Sequence, residues 1–438
     1  MDKIPLIVDL DKTLIKNDLF QELFVKCFFK NPLQTIYLLY KHGVLHMKHK
    51  LLTSENFKEI NILPNEQVVS LLKSEYEDGR DIYIVTASNQ EYADKIKSLF
   101  PFIKKAYGSK KTNLKGFNKL KFIKKHIGEK FDYYGDSRSD QIIFNESVNY
   151  KKINTFKFRE LASLLRLKHW VKNLLIFIPL VLTASKFNLE NFSNLIVAFL
   201  AFSLTASFGY VYNDLTDFES DRNHVTKKKR PIASGAIGLN HAILILFILI
   251  ATIFILAITL EQGILLLLTY FVVNISYSFK LKKVKWLDII VLSSFYLIRL
   301  LFGASVVNIE ISYWLLFTSF YAFFYLSLDK RLNELILSDK LNSRRAYKNE
   351  DIISLNILRI SSILFSTFIY NFFLYQELQD STIGYKNYIL ISSFLISLYA
   401  QLVLLDDKNE DLVKKVTTNK KVLFSGLLLS IIYFLIKL

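Results

Sequence analysis

Beyond about residue 172 the chain carries nine apolar stretches joined by short polar connections, near 173–189, 193–213, 240–258, 262–279, 287–306, 312–328, 357–376, 387–405 and 421–437. Several approach the roughly 20 residues that an α-helix needs to cross the hydrocarbon core. The first is short and interrupted by Pro179. The expected fold of this part is an all-α polytopic membrane bundle of about nine transmembrane helices. Up to about residue 172 the chain is instead mixed and lysine-rich. With 52% hydrophobic residues and a mean hydropathy of +0.27, the whole reads as a membrane protein with a soluble part.

The formal net charge of +17 could suggest a nucleic-acid partner, but its distribution points elsewhere. Alternate loops hold the cations: Arg222, Lys227, Lys228, Lys229 and Arg230; Lys280, Lys282, Lys283 and Lys285; Lys330, Arg331, Lys340, Arg344, Arg345 and Lys348; then Lys408, Lys414, Lys415, Lys420 and Lys421. The opposite loops offer little beyond Lys186 and Lys386. By the positive-inside rule the rich side is cytoplasmic, which places the carboxyl terminus outside an inner (cell) membrane. No nucleic acid is expected as a partner. The opening MDKIPLIVDLDKTL has only a short apolar run that leads straight into carboxylates, so the first segment is expected to stay in the cytosol. Cys27 is the single cysteine, which excludes an intrachain disulfide or a cysteine metal cluster.

Residues 209–235 read GYVYNDLTDFESDRNHVTKKKRPIASG, an acidic ending on a helix otherwise apolar enough to cross a membrane. Asp214, Asp217 and Asp221 are spaced i, i+3 and i+7, so a continuing helix would project them from one face and crowd three negative charges. Hard carboxylate oxygens so crowded suit Mg²⁺, which usually shares its coordination with a substrate's phosphates. The implied ligand is a diphosphate. Asn213, the basic run to Arg230 and the Pro231–Gly235 turn set this segment apart from an acidic helix end that is merely solvated.

The soluble part spells a buried strand, residues 4–9, that delivers Asp9 and Asp11 at its carboxyl end, with Thr13 following. A second strand over 81–85 ends in Thr86, Ala87 and Ser88, and a third over 131–134 ends in Gly135, Asp136, Ser137, Arg138, Ser139 and Asp140. Open parallel sheets place their sites at such ends. Asn118 and Lys119 precede an amphipathic helix running toward Ile127. Together these ends make a phosphate and Mg²⁺ pocket. Over residues 4 to about 150 the set resembles the haloacid dehalogenase superfamily of phosphatases, with four motifs in order. The resemblance implies an α/β, Rossmann-type domain over 1–155 with a helical cap in residues 14–80. It implies Asp9 as nucleophile and metal ligand, Asp11 as acid and base, Thr86 on the phosphoryl oxygens, Lys119 as the balancing charge, and Asp136 with Asp140 completing the Mg²⁺ site. Lys115 is the rival for the lysine role; Lys119 is preferred because it opens the helix leading to Asp136.

At the start of the first apolar stretch, LRLKHWVKN brings Trp170 as an interfacial anchor and Arg166, Lys168 and Lys172 as places where a lipid phosphate could dock. Arg299 lies within an apolar span, where charge usually faces a cavity or a partner. From about residue 160 to the end the chain resembles the UbiA superfamily of intramembrane transferases, which implies a second domain over 160–438. The resemblance carries Asn213, Asp214, Asp217 and Asp221 as the first aspartate-rich motif, and Tyr277, Lys280 and Asp288 as the second. RLKHWVKN, DRNHVTKKKRPIASG and LDKRLNEL are closest to the polyprenyl-phosphate phosphoribosyltransferase branch. Val225 stands where that pattern has proline, and no second aspartate lies near Asp288.

The resemblances imply transfer of 5-phosphoribose from 5-phosphoribosyl diphosphate to a polyprenyl phosphate, with Mg²⁺ and release of diphosphate. Lys280, Arg299, Lys330 and Arg331 would hold phosphates. The phosphatase domain would then remove the 5-phosphate, and oligomerisation is left open. The alternative is prenyl transfer from a polyprenyl diphosphate to an aromatic acceptor, with a separate phosphatase activity.

Overall fold

The computed structural model describes residues 3–41, 62–110, 112–136, 138–153, 158–183, 186–260, 262–337, 347–379, 386–406 and 418–437. Ser137, Lys340, Arg344, Arg345, Lys408, Lys414 and Lys415 lie outside them. The chain divides into two compact units, Met1–Leu165 with Val211–Phe247, and Arg166–Tyr210 with Ile248–Leu438. The 211–247 segment, with the first aspartate motif, thus groups with the amino-terminal part.

The first unit is built on a five-stranded parallel sheet in the order β3-β2-β1-β4-β5: β1 Leu6–Val8, β2 Ile82–Asn89, β3 Lys105–Ser109, β4 Asp132–Gly135 and β5 Tyr150–Lys152. β1 is central, with Leu6 opposite Ile82 on one side and Asp132 on the other. Its side chains alternate between two cores. Leu6 and Val8 pack with Val68, Leu72, Tyr92 and Ile96, while Ile7 packs with Leu120, Ile123, Ile143 and Phe144 on the opposite face. A strand covered on both faces reads as a continuous apolar run, which is why IPLIV lacks polar alternation.

The three expected strands form, the first within its expected bounds, the second running on through Thr86, Ala87 and Ser88 to Asn89 and the third shifted by one residue, and β3 and β5 add one at each edge. Of the segment expected to form a cap, the helix Glu66–Glu77 belongs instead to the sheet's core through Val68 and Leu72. The helix Leu19–Lys30 is capped by Asp18, whose carboxylate accepts from the Gln21 amide. Residues 42–61 of the expected cap lie outside the described residues.

In the second part of the chain, five helices among the described residues are long and apolar enough to cross a membrane: Leu189–Thr216, Leu239–Thr259, Leu287–Val306, Asn349–Gln376 and Lys386–Val403. Ile264–Phe279 is shorter. Tyr313–Leu337 runs past its expected end to carry Asp329, Lys330 and Arg331 on helix, and Lys420–Lys437 matches the last expected span. The first expected span does not form one helix. A 3₁₀ stretch, Leu167–Phe177, leads into a five-residue helix, Ile178–Leu182, with Pro179 in its first turn. Proline lacks the amide that a continuing helix would use, so it starts a helix here and does not extend one.

Candidate functional sites

At the carboxyl ends of β1 and β4, carboxylate oxygens of Asp9, Asp136 and Asp140 all lie within 4.8 Å of one another. Lys119 reaches into them. It sits on the inner face of the helix Phe117–His126 beside Leu120 and Ile123, and its Nζ lies 3.1 Å from Asp9 Oδ1, 3.5 Å from Asp140 Oδ1 and 3.0 Å from the Tyr133 hydroxyl. Lys115 is exposed. Asp9 is further held by the Leu10 amide, which donates to Oδ1 at 2.8 Å. Burial works against the Lys119 charge, but Asp9 and Asp140 outweigh it and hold its pKa above the usual lysine value. Burial, then the neighbouring Asp9, push Asp136 up to about 7; burial likewise raises Asp140, against the pull of Lys119.

Of the other two motif residues, Asp11 follows β1 and Thr86 lies within β2, the strand paired to β1. Ser88 donates to Asp11 Oδ2 at 2.6 Å, and Thr86, itself buried, accepts from the Ser88 amide at 3.0 Å. Lys12 takes a positive φ of 60°, where a side chain is strained, so the chain turns sharply between Asp11 and Thr13. The group suits a hard divalent cation. Asp140 Oδ2 is buried without a hydrogen-bond partner among the described residues, and an orphaned carboxylate oxygen beside two further carboxylates is a ligand atom in waiting.

The aspartate-rich motif takes a different shape from the one its spacing suggests. The helix Leu189–Thr216 stops at Thr216, Asp217 occupies the cap position, and a new five-residue helix runs over Phe218–Arg222. The three carboxylates therefore do not ride one continuous helical face. Among the described residues they do not form a group with ligand atoms within 4.8 Å. Asp214 and Asp221 are buried and share one cation, Arg230, whose Nη1 donates to Asp214 Oδ1 at 3.0 Å and Asp221 Oδ2 at 2.7 Å. Asn213 and Asp217 are half-buried, and Lys227, Lys228 and Lys229 are exposed. Arg230 opens a turn in which Ser234 N donates to Arg230 O, Gly235 N to Ile232 O and Ile237 N to Pro231 O. Gly235 has φ +73°, which glycine adopts without strain.

In the second unit, Asp288 is fully buried and accepts from Tyr277 Oη at 2.6 Å and from Arg331 Nε and Nη2 at 2.5 and 3.0 Å. It lies in the first turn of Leu287–Val306, whose cap position is Trp286, so it does not cap that helix. Arg331 also pairs with Glu334. Arg299 is buried too: Nε donates to Asn173 Oδ1 at 2.7 Å, and the guanidinium stands over the rings of Phe202, Tyr270 and Tyr296. Its charge is satisfied inside the apolar span by an amide and aromatic faces. Lys280, Lys330 and Lys168 are exposed, and Lys172 is half-buried. Trp170 donates to Ser207 Oγ at 3.0 Å, and Arg166 stacks on Tyr210.

Two residues of the first unit were not anticipated as partners, Glu22 and Arg222. No local signal joins positions 200 apart, although an arginine directly after Asp221 is visible in the sequence.

Residues 174–408 match the profile of the UbiA prenyltransferase family. A Sinorhizobium fredii protein, described as uncharacterized protein y4nM, is 32% identical over 357 residues, covering 75% of this chain and 69% of its own length. That is more of this chain than the family segment spans, so the likeness runs into the residues ahead of it. Decaprenyl-phosphate phosphoribosyltransferases of Corynebacterium glutamicum and Mycobacterium tuberculosis are 32% and 34% identical, over 41% and 40% of this chain. The chain spans 56% and 60% of the length of those two relatives.

Proposed function

The chain belongs to the UbiA prenyltransferase family and is an integral membrane protein, and from that premise we propose that it transfers 5-phosphoribose from 5-phosphoribosyl diphosphate to a polyprenyl phosphate. The amino-terminal domain then removes the 5-phosphate to leave a polyprenyl-phosphate ribose. In this reading the basic loops and the amino-terminal domain face the cytosol, where the soluble donor is found.

One observation carries the transfer step. Asp214 and Asp221 are both buried and both bonded to Arg230, in a chain similar over 41% and 40% of its length to two decaprenyl-phosphate phosphoribosyltransferases. A buried carboxylate pair could hold a magnesium-bound diphosphate, and Arg230, freed from the pair, would then pair with the diphosphate oxygens. Bound Mg²⁺ supplies neutralising charge to the leaving diphosphate. The acceptor's phosphate oxygen attacks the anomeric carbon as the bond to diphosphate breaks. Asp288, held by Tyr277 and Arg331, orders the second motif in this reading, and the exposed Lys280 and Lys330 would hold phosphates.

The phosphatase step rests on the sheet-end cluster, whose motif order resembles the haloacid dehalogenase superfamily. Asp9 would attack the phosphorus, with Lys119 beside it offsetting the repulsion between two anions, and Asp11 would protonate the leaving alcohol and then activate water. Linking the two activities in one chain raises the effective concentration of a lipid product at the second site.

Purified protein in detergent, given labelled phosphoribosyl diphosphate and a polyprenyl phosphate, should form a lipid-linked ribose. Asp9→Asn should leave transfer intact while the 5-phosphorylated lipid accumulates, and Asp214→Asn should reduce transfer by at least about a hundredfold. Absence of any ribosylated lipid, with transfer from a polyprenyl diphosphate to an aromatic acid instead, would establish the prenyltransferase alternative and end the phosphoribosyl reading.

A further inference from the structure

We propose that Glu22, on the helix Leu19–Lys30 of the amino-terminal segment, is a positioning residue for the aspartate-rich diphosphate loop, acting through Arg222. The inference rests on the proposed assignment of diphosphate to Asp214 and Asp221.

Arg222 follows Asp221 directly, and its side chain is 4% exposed against 5% for Glu22. Nη1 donates to Glu22 Oε2 at 2.9 Å and Nη2 to Oε1 at 2.6 Å, a bidentate pair that fixes the guanidinium plane. Nε donates to the Ala233 carbonyl at 3.0 Å, in the turn that Arg230 opens. One buried guanidinium therefore ties the helix to both ends of the loop: to Asp221 through the adjacent backbone, and to the Pro231–Ile237 turn through Ala233. Arg230, between those ends, spans Asp214 and Asp221. Other contacts keep the helix in the same register, with Lys26 3.5 Å from Glu219, Gln21 Oε1 accepting from the Asn240 amide, and Phe29 edge-on to Tyr212.

Burial raises the Glu22 pKa against the downward pull of Arg222, so desolvation opposes the charges of the pair. A buried pair of this kind contributes little net stability compared with apolar side chains of the same volume. What it adds is direction. The carboxylate fixes where Arg222 points, and Arg222 fixes the turn that presents Arg230.

The test uses full-length protein in detergent, with inorganic diphosphate plus Mg²⁺ as the calorimetric probe and hydrogen exchange as the second readout. Glu22→Gln, a neutral isostere, should weaken diphosphate binding about tenfold or more and raise the donor KM by a similar factor, with kcat within about twofold. Amides of Ser234, Gly235 and Ile237 should exchange faster while those of β1 do not change. Glu22→Asp, which keeps the charge, should recover part of the affinity. Wild-type affinity and exchange in Glu22→Gln would overturn the inference and leave the transfer reading standing. A wild-type protein that transfers no phosphoribose would sink that reading, and the exchange comparison would still decide the role of Glu22. In unmodified protein the turn should exchange in the same slow class as Leu19–Lys30; fast exchange of the turn beside a protected helix overturns the inference whether or not the variants fold.

Discussion

Asp136 shows how a single carboxylate couples the sheet-end cluster to pH. Burial and the Asp9 charge raise it to about 7, far above an ordinary aspartate. A carboxyl group whose folded pKa is raised contributes stability that is fully present below its unfolded pKa and is lost as pH rises through the folded one. Metal-free protein should therefore lose stability as pH climbs from about 4 to about 7, and added Mg²⁺ should restore it. Mg²⁺ has to displace that proton, so its affinity should fall about tenfold for each pH unit below about 7. Calorimetric titrations in two buffers of different ionisation enthalpy would report about one proton released near pH 6. A Mg²⁺ affinity that does not change between about pH 5 and 7.5 would exclude this linkage.

At the scale of elements, the helix Leu287–Val306 meets the 3₁₀ segment Leu167–Phe177 at one glycine. A Cβ on Gly303 would lie 2.0 Å from the Ile176 carbonyl oxygen, which is backbone and cannot rotate away. Gly303→Ala should destabilise the protein by about 1–3 kcal/mol or more, read as a lower unfolding temperature in detergent. At Gly426, within Lys420–Lys437, a Cβ would meet no described atom within 4 Å, so Gly426→Ala should be neutral or stabilise by up to about 1 kcal/mol. Equal effects of the two substitutions would show that the close approach does not limit packing. The same contact bears on the first expected membrane span. Hydropathy registers 173–189 as one apolar run, but Pro179 starts a new short helix within it, while the buried amide of Asn173 is used by Arg299 and Ser203.

For the whole molecule, the division into units matters more than the domain boundary expected near residue 155–160. The segment Val211–Phe247 belongs to the compact unit that contains the sheet. A chain beginning at residue 166 would lose Glu22 and the rest of the helix that holds Arg222, so it should retain less than about a tenth of the full-length donor affinity even if it inserts into membranes. Donor binding by such a truncated chain at full-length strength would show that the aspartate loop orders itself.

The strands that carry Asp9, Thr86 and Asp136 were legible because central parallel strands must be apolar on both faces and polar only at their ends. Most of the later helices were legible because lipid-facing segments must be long and apolar. Lys119 could be preferred over Lys115 from its place at the start of a helix. Its approach to both Asp9 and Asp140 could not be read, since that depends on β1 and β4 lying side by side. The interruption at Asp217 was hidden because i, i+3, i+7 spacing is the same whether the helix continues or restarts. Arg230 was visible only as the end of a basic run, and Glu22 only as one acidic residue in an aromatic helix. Local composition and periodicity specify which segments are strands or apolar helices, because those preferences act over a few residues. Which cation neutralises Asp214 and Asp221, and which carboxylate holds Arg222, was decided by the packing of segments far apart in the chain, where burial removes water and leaves each charge only the partners that folding brings to it.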